Sequence, residues 1–106
     1  MKGTDFKREA SNAAHHAYDE LVVADKAVRA GAYGLALRAM NSAGKWQEAI
    51  TWNVLAYERS IGRHSVELTE WLGATTRALD AFTHGIIDKL SVGKAAGRRP
   101  RRPRPL

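Results

Sequence analysis

Six cations close this chain, Lys94, Arg98, Arg99, Arg101, Arg102 and Arg104, the last five of them within seven residues. A guanidinium presents a planar fork of donors that matches phosphate oxygens, so a run of arginines can pair with successive phosphates and release their counterions. Pro100, Pro103 and Pro105 stand among them. Proline cannot continue a helix and holds the chain extended, which reduces the ordering cost of binding. No aromatic residue is interleaved, so bases have nothing to stack on and the spacing predicts contact with nucleic acid, RNA or DNA, without sequence reading. An acidic protein groove or an anionic lipid surface would satisfy the same charges.

The remainder carries no such signal. Residues 1–93 contain eleven Lys and Arg against eleven Asp and Glu, so the whole net charge of +6 resides in residues 94–106. The sequence therefore divides into a neutral body, 1–93, and a basic Arg/Pro-rich tail, 94–106, expected to be disordered when unbound. A second set of candidate ligands lies in the body: His15 with Asp19, His16 with Glu20, and Asp80, His84 and Asp88. Each group shares one helix face at i,i+4 spacing, where an imidazole and a carboxylate could hold an ion. Exposed i,i+4 partners account for the same spacing, and no metal or cofactor is assigned. The chain has no cysteine, which excludes disulfides and thiolate metal sites and permits a cytoplasmic location. MKGTDFKRE lacks the apolar core of a signal peptide, and no apolar run reaches the ~18 residues of a membrane span.

Apolar periodicity of three and four predicts an all-α body, an up-down bundle of about four helices. Helix one starts after Thr4 as N-cap and runs to Ala30, with Gly31 as its left-handed stop. Its stripe, Phe6, Ala10, Ala13, Ala17, Leu21, Ala24 and Val28, is mostly alanine and calls for bulky partners. Helix two spans Ala32 to Ser42, and Asn41, Ser42 and Gly44 read as a turn. The central helix, Gly44–Arg59, carries Trp46, Ala49, Ile50, Asn53, Ala56 and Tyr57 on one face, with Trp52 and Val54 on its shoulders. A helix apolar over so much of its circumference is expected to be wrapped by neighbours, with Trp46 and Trp52 both buried. Gly62 ends it and Ser65 caps helix four, which reaches about Leu90 with the seam Leu68, Leu72, Thr75, Leu79, Phe82, Ile86 and Leu90. In a four-helix path, helices one and four run antiparallel, bulky seam against alanine stripe.

Two stretches resemble known families. Ala32–Arg59 resembles a single tetratricopeptide helix pair, with Gly44 at the inter-helix turn, Trp46 just after it, and Ala49 and Ala56 at the close-packing positions. That resemblance implies a peptide-binding or protein-binding role. Arg59 and His64, in RSIGRH, resemble the Arg-x4-His pattern of HEPN ribonucleases, small helical bundles in which such a pair promotes attack of an RNA 2′-hydroxyl. The reading that fits most of the chain is a small non-enzymatic interaction module. A helical face would meet another protein or a second copy, and the tail would meet a polyanion. The alternatives are a metal-independent ribonuclease using Arg59 and His64, and an assembly protein that pairs through the helix-four seam.

Overall fold

The computed structural model describes the backbone of residues 3–98 and the side chains of residues 6–92. Within them lie three helices, α1 (Gly3–Arg29), α2 (Tyr33–Ile61) and α3 (Val66–Arg98), and no strand. At 1.5 Å per residue they are about 40, 44 and 50 Å long. None of the described helices is long and apolar enough to cross a membrane.

Both connections are glycine stops. Gly31 takes φ 77° and Gly62 φ 72°, conformations that glycine adopts without the Cβ penalty of other residues. After α1, the Gly31 N–H donates to the Val28 carbonyl and the Ala32 N–H to that of Ala27. After α2, Gly62 donates to Arg59 and Arg63 to Glu58. This paired return of hydrogen bonds satisfies carbonyls that a helix end leaves open. Ser65 caps α3 as its sequence indicated, its hydroxyl accepting from the Leu68 N–H at 3.2 Å. The start of α1 differs from expectation: the helix already includes Thr4, which therefore is not its N-cap.

The largest departure is at Gly44. Helix two and the central helix are one continuous helix, so the described residues form three helices rather than four, and the inter-helix turn of a tetratricopeptide pair is absent at this position. A glycine inside a helix costs up to about 1 kcal/mol relative to alanine. Against that stand Ala39 and Ala43 before it and Ile50 and Val54 after it, all buried on one side of the unbroken helix. Tertiary packing on both sides of Gly44 outweighs the local preference of Asn41, Ser42 and Gly44 for a turn.

With three helices, α1 and α3 run parallel rather than antiparallel. The Tyr18 and Phe82 rings meet at 5.5 Å, and Lys89 reaches Asp25 at 2.7 Å. Both contacts join residues 64 apart in sequence, a constant offset that only parallel helices give. The alanine stripe of α1 also has a different partner from the one expected. Ala10, Ala13, Ala17, Ala24 and Ala27 are buried in α1, and Ala36, Ala39 and Ala43 in α2. These two helices form the most extensive interface in the molecule. Methyl groups facing methyl groups let the backbones approach closely, near the ~8 Å lower end of helix spacing. The seam of α3 covers this hairpin with larger side chains, Leu68, Leu79, Ile86 and Leu90, all buried.

Asp25 ties α3 to α1. Its carboxylate accepts a hydrogen bond from Lys89 Nζ at 2.7 Å and is ion-paired with Arg29, 3.1 Å away. The Lys89 hydrogen bond, supported by the Arg29 charge, holds the Asp25 pKa below the ordinary aspartate value against the opposing effect of burial. A carboxyl with a depressed folded-state pKa contributes stability above its unfolded value of about 3.9, and loses that contribution as pH falls through the folded value. Asp25→Asn should therefore destabilise the protein at neutral pH, by no more than about 1 kcal/mol because Lys89 is half exposed. The difference between variant and wild type should shrink as urea titrations are taken below about pH 4. An unchanged difference at acid pH would mean that the carboxylate charge is not what Lys89 reads.

Candidate functional site

Arg59 and His64 flank the α2–α3 turn, Arg59 exposed in the last turn of α2 and His64 in the connection beyond Gly62. No hydrogen bond joins them among the described residues. The imidazole is engaged on both sides: Nδ1 lies 2.9 Å from Glu58 Oε2, and Nε2 lies 3.2 Å from Thr69 Oγ1. Donation from Nδ1–H to the carboxylate leaves Nε2 to accept from the threonine hydroxyl. The same Glu58 oxygen accepts from the Ser65 N–H at 2.7 Å.

A carboxylate, an imidazole and a hydroxyl in series is the arrangement that activates a nucleophile. A groove of about 290 Å³ beside the turn is lined by Lys7, Tyr57, Arg63, His64, Ser65 and Glu67, among others, but not by Thr69. The sequence reading missed Glu58 and Thr69, whose relation to His64 depends on the left-handed turn at Gly62. What the three residues do is tie the C-terminus of α2 to the first turn of α3, with Glu58 satisfying a backbone donor ahead of the helix.

The other histidines are dispersed. His16 stacks on Trp46 with ring centroids 4.3 Å apart and planes inclined by 21°, joining α1 to α2. Asp80 accepts a long hydrogen bond from Gln47, 3.4 Å. No group of three or more potential metal ligands converges among the described residues. Of the basic tail, Lys94 and Arg98 fall on the backbone of α3, which continues five residues past the expected boundary at residue 93. Arg99, Arg101, Arg102 and Arg104 lie outside the described residues.

A surface that the sequence reading did not single out is the outer face of α2. Trp52 is 66% exposed, in contrast to the burial expected for it, and Leu37 and Leu55 are 47% and 44% exposed. The reason is angular. Trp52 stands two residues from Ile50 and two from Val54, the buried pair, and two residues on a helix are 200°, so it points away from the core on either count. Trp46, by comparison, is partly buried against the core. Comparison with protein-family models, curated proteins and solved structures finds no match to this chain. The class it defines is thus given by its own geometry: a close-packed α1–α2 hairpin with a parallel third helix, and an outer face of α2 that carries the exposed Leu37, Trp52 and Leu55 and is left open by the described residues.

Proposed function

We propose that this protein is a small, non-catalytic helical interaction module. The outer face of α2 meets another protein, and the cations Lys94, Arg98, Arg99, Arg101, Arg102 and Arg104 contact nucleic acid or another polyanion without sequence preference. The observation that carries the reading is Trp52, a large aromatic aimed at solvent from the side of α2 opposite the core. Tryptophan exposed beside other apolar residues is the composition of contact surfaces rather than of ordinary monomer surface. The charge distribution supports the second half, since residues 1–93 carry no net charge and cannot supply a general attraction for phosphate.

Filter binding to duplex DNA and to single-stranded RNA tests the polyanion contact. With about five duplex phosphates neutralised, log affinity should fall with log salt at a slope of about −4.5, and each Arg→Gln change in the set should flatten it by about 0.9. Replacement of all six cations by glutamine in the full chain should abolish binding, with the far-UV circular dichroism preserved. Retention of either nucleic acid by that variant at about 150 mM salt, where only near-neighbour charges act, would assign the contact to the helices instead.

A further inference from the structure

The apolar residues of the outer α2 face are spaced for a copy of themselves. Leu37 and Leu55 are 18 residues apart, five full turns, so they share one azimuth about 27 Å apart. Asn41, Lys45, Glu48 and Trp52 lie between them on the same side of the helix, and all six are exposed. When this face is laid against its own copy antiparallel, about a two-fold axis level with residues 46 and 47, the positions match. Leu37 meets Leu55 of the second copy, Asn41 meets Trp52, and Lys45 meets Glu48, and the symmetry repeats each pair in reverse. A two-fold contact requires such self-complementarity.

The chemistry of each pair is consistent. Leucine on leucine buries the ends of the patch. Asn41 leaves room for the indole and offers a carbonyl oxygen to its N–H, a donor that tryptophan must satisfy when it is covered. The two Lys45–Glu48 pairs flank the axis and oppose parallel or shifted registers, which would bring like charges together. Gly44 lies on the same side, between the two pairs. Beyond the backbone of its own helix, an added Cβ there would meet no atom of the described residues within 4 Å, so none of them uses the absence of its side chain. A second helix crossing at that level does, because glycine lets a neighbour approach the backbone. Arg59, 18 residues from Asn41, shares its azimuth and lies one turn beyond Leu55 on the same face; Arg38 flanks Leu37 and folds back along its own helix to within 3.8 Å of the Cβ position of Gly34.

We infer that the occupant of this face is a second copy of the chain, giving an antiparallel α2–α2 dimer. The inference rests on reading the outer α2 face as a contact surface and adds the identity and register of its partner. Analytical ultracentrifugation of the full chain should show a monomer–dimer equilibrium. Lys45→Glu and Glu48→Lys, both at exposed positions, should each raise the dissociation constant about tenfold or more, because two attractive pairs become two repulsive ones. Lys45→Glu/Glu48→Lys together should restore it. An equimolar mixture of the two single variants should form a heterodimer more tightly than either pairs with itself, since both cross pairs are then attractive. A wild-type monomer at about 100 µM, above the concentration at which weak specific contacts form, would overturn the inference. A dimer that both single variants leave intact would overturn the register. The contact-surface reading fails separately. The emission lost in Trp52→Phe, measured as a difference spectrum on monomeric protein, should be that of a solvated indole, and a blue-shifted difference would show the face to be covered within the chain itself.

Discussion

Ile50→Ala should lower the free energy of unfolding by about 2–5 kcal/mol, while Trp52→Ala, which removes more atoms, should change it by less than about 0.5 kcal/mol. Ile50 is 1% exposed and among the largest fully buried side chains, with Leu21 and Ile86. It sits in the main cluster of buried residues, where all three helices contribute. Truncation there loses the transfer energy of the side chain and leaves a cavity whose walls are held by helix backbones. Trp52, two residues away, has two thirds of its surface in water. For a domain whose total stability is on the order of 5–10 kcal/mol, the first change removes a large share and the second almost none. Urea titration followed by circular dichroism checks the contrast, at protein concentrations low enough that dimer formation adds nothing. If Trp52→Ala costs more than about 2 kcal/mol in the monomer, the indole is part of the core and the outer face of α2 has been misplaced.

That contrast also shows where the sequence could be read and where it could not. The seam of α3 was legible because Leu68, Leu79, Ile86 and Leu90 are large and recur at helical spacing, a pattern that has one physical solution. Gly31, Gly62 and Ser65 were legible because each acts locally, through a backbone conformation or a hydroxyl within three residues. Gly44 misled for the same reason. Its local preference is real, about 1 kcal/mol, but the decision belonged to contacts of Ala39, Ala43, Ile50 and Val54 with residues distant in sequence. Losing one turn reversed the relative direction of the first and last helices and gave the alanine stripe of α1 a new partner.

The outer face of α2 was hidden by composition. With Trp46, Trp52, Ile50, Val54, Leu55 and Tyr57 in twelve residues, nearly every azimuth has a candidate, and the sequence does not say which arc the other helices cover. Buried alanines settle it, because Ala36, Ala39 and Ala43 mark the side where α1 lies close. The turn at residues 62–65 was half legible. His64 drew notice as one member of an Arg-x4-His pair, whereas its hydrogen bonds go to Glu58 and Thr69, neither of which that spacing includes.

The close approach of α1 and α2 makes the second large effect an overpacking one. Ala24→Leu should destabilise the protein by about 1–3 kcal/mol or more, although it adds apolar surface to a helix and leucine is nearly as good a helix former as alanine. His16 stacks on Trp46, and Lys7 lies over the ring of Tyr57, 5.5 Å from its centroid. These two pairs fix an antiparallel register that brings Ala24 level with Ala39. Ala24 is 0% exposed and Ala39 5% exposed. Three further carbons between them must push the helices apart, and Leu21, Ala17 and Val28 on the same stripe lose contact as they separate. Ala81→Leu, at an exposed position of α3, provides the control and should stay within about 0.5 kcal/mol of wild type. Had the alanine stripe faced a bulky seam across a wider gap, Ala24→Leu would fill space and raise the melting temperature. Thermal unfolding of the two variants beside wild type distinguishes these outcomes by sign, and a higher Tm for Ala24→Leu would show that α1 and α2 do not meet methyl to methyl.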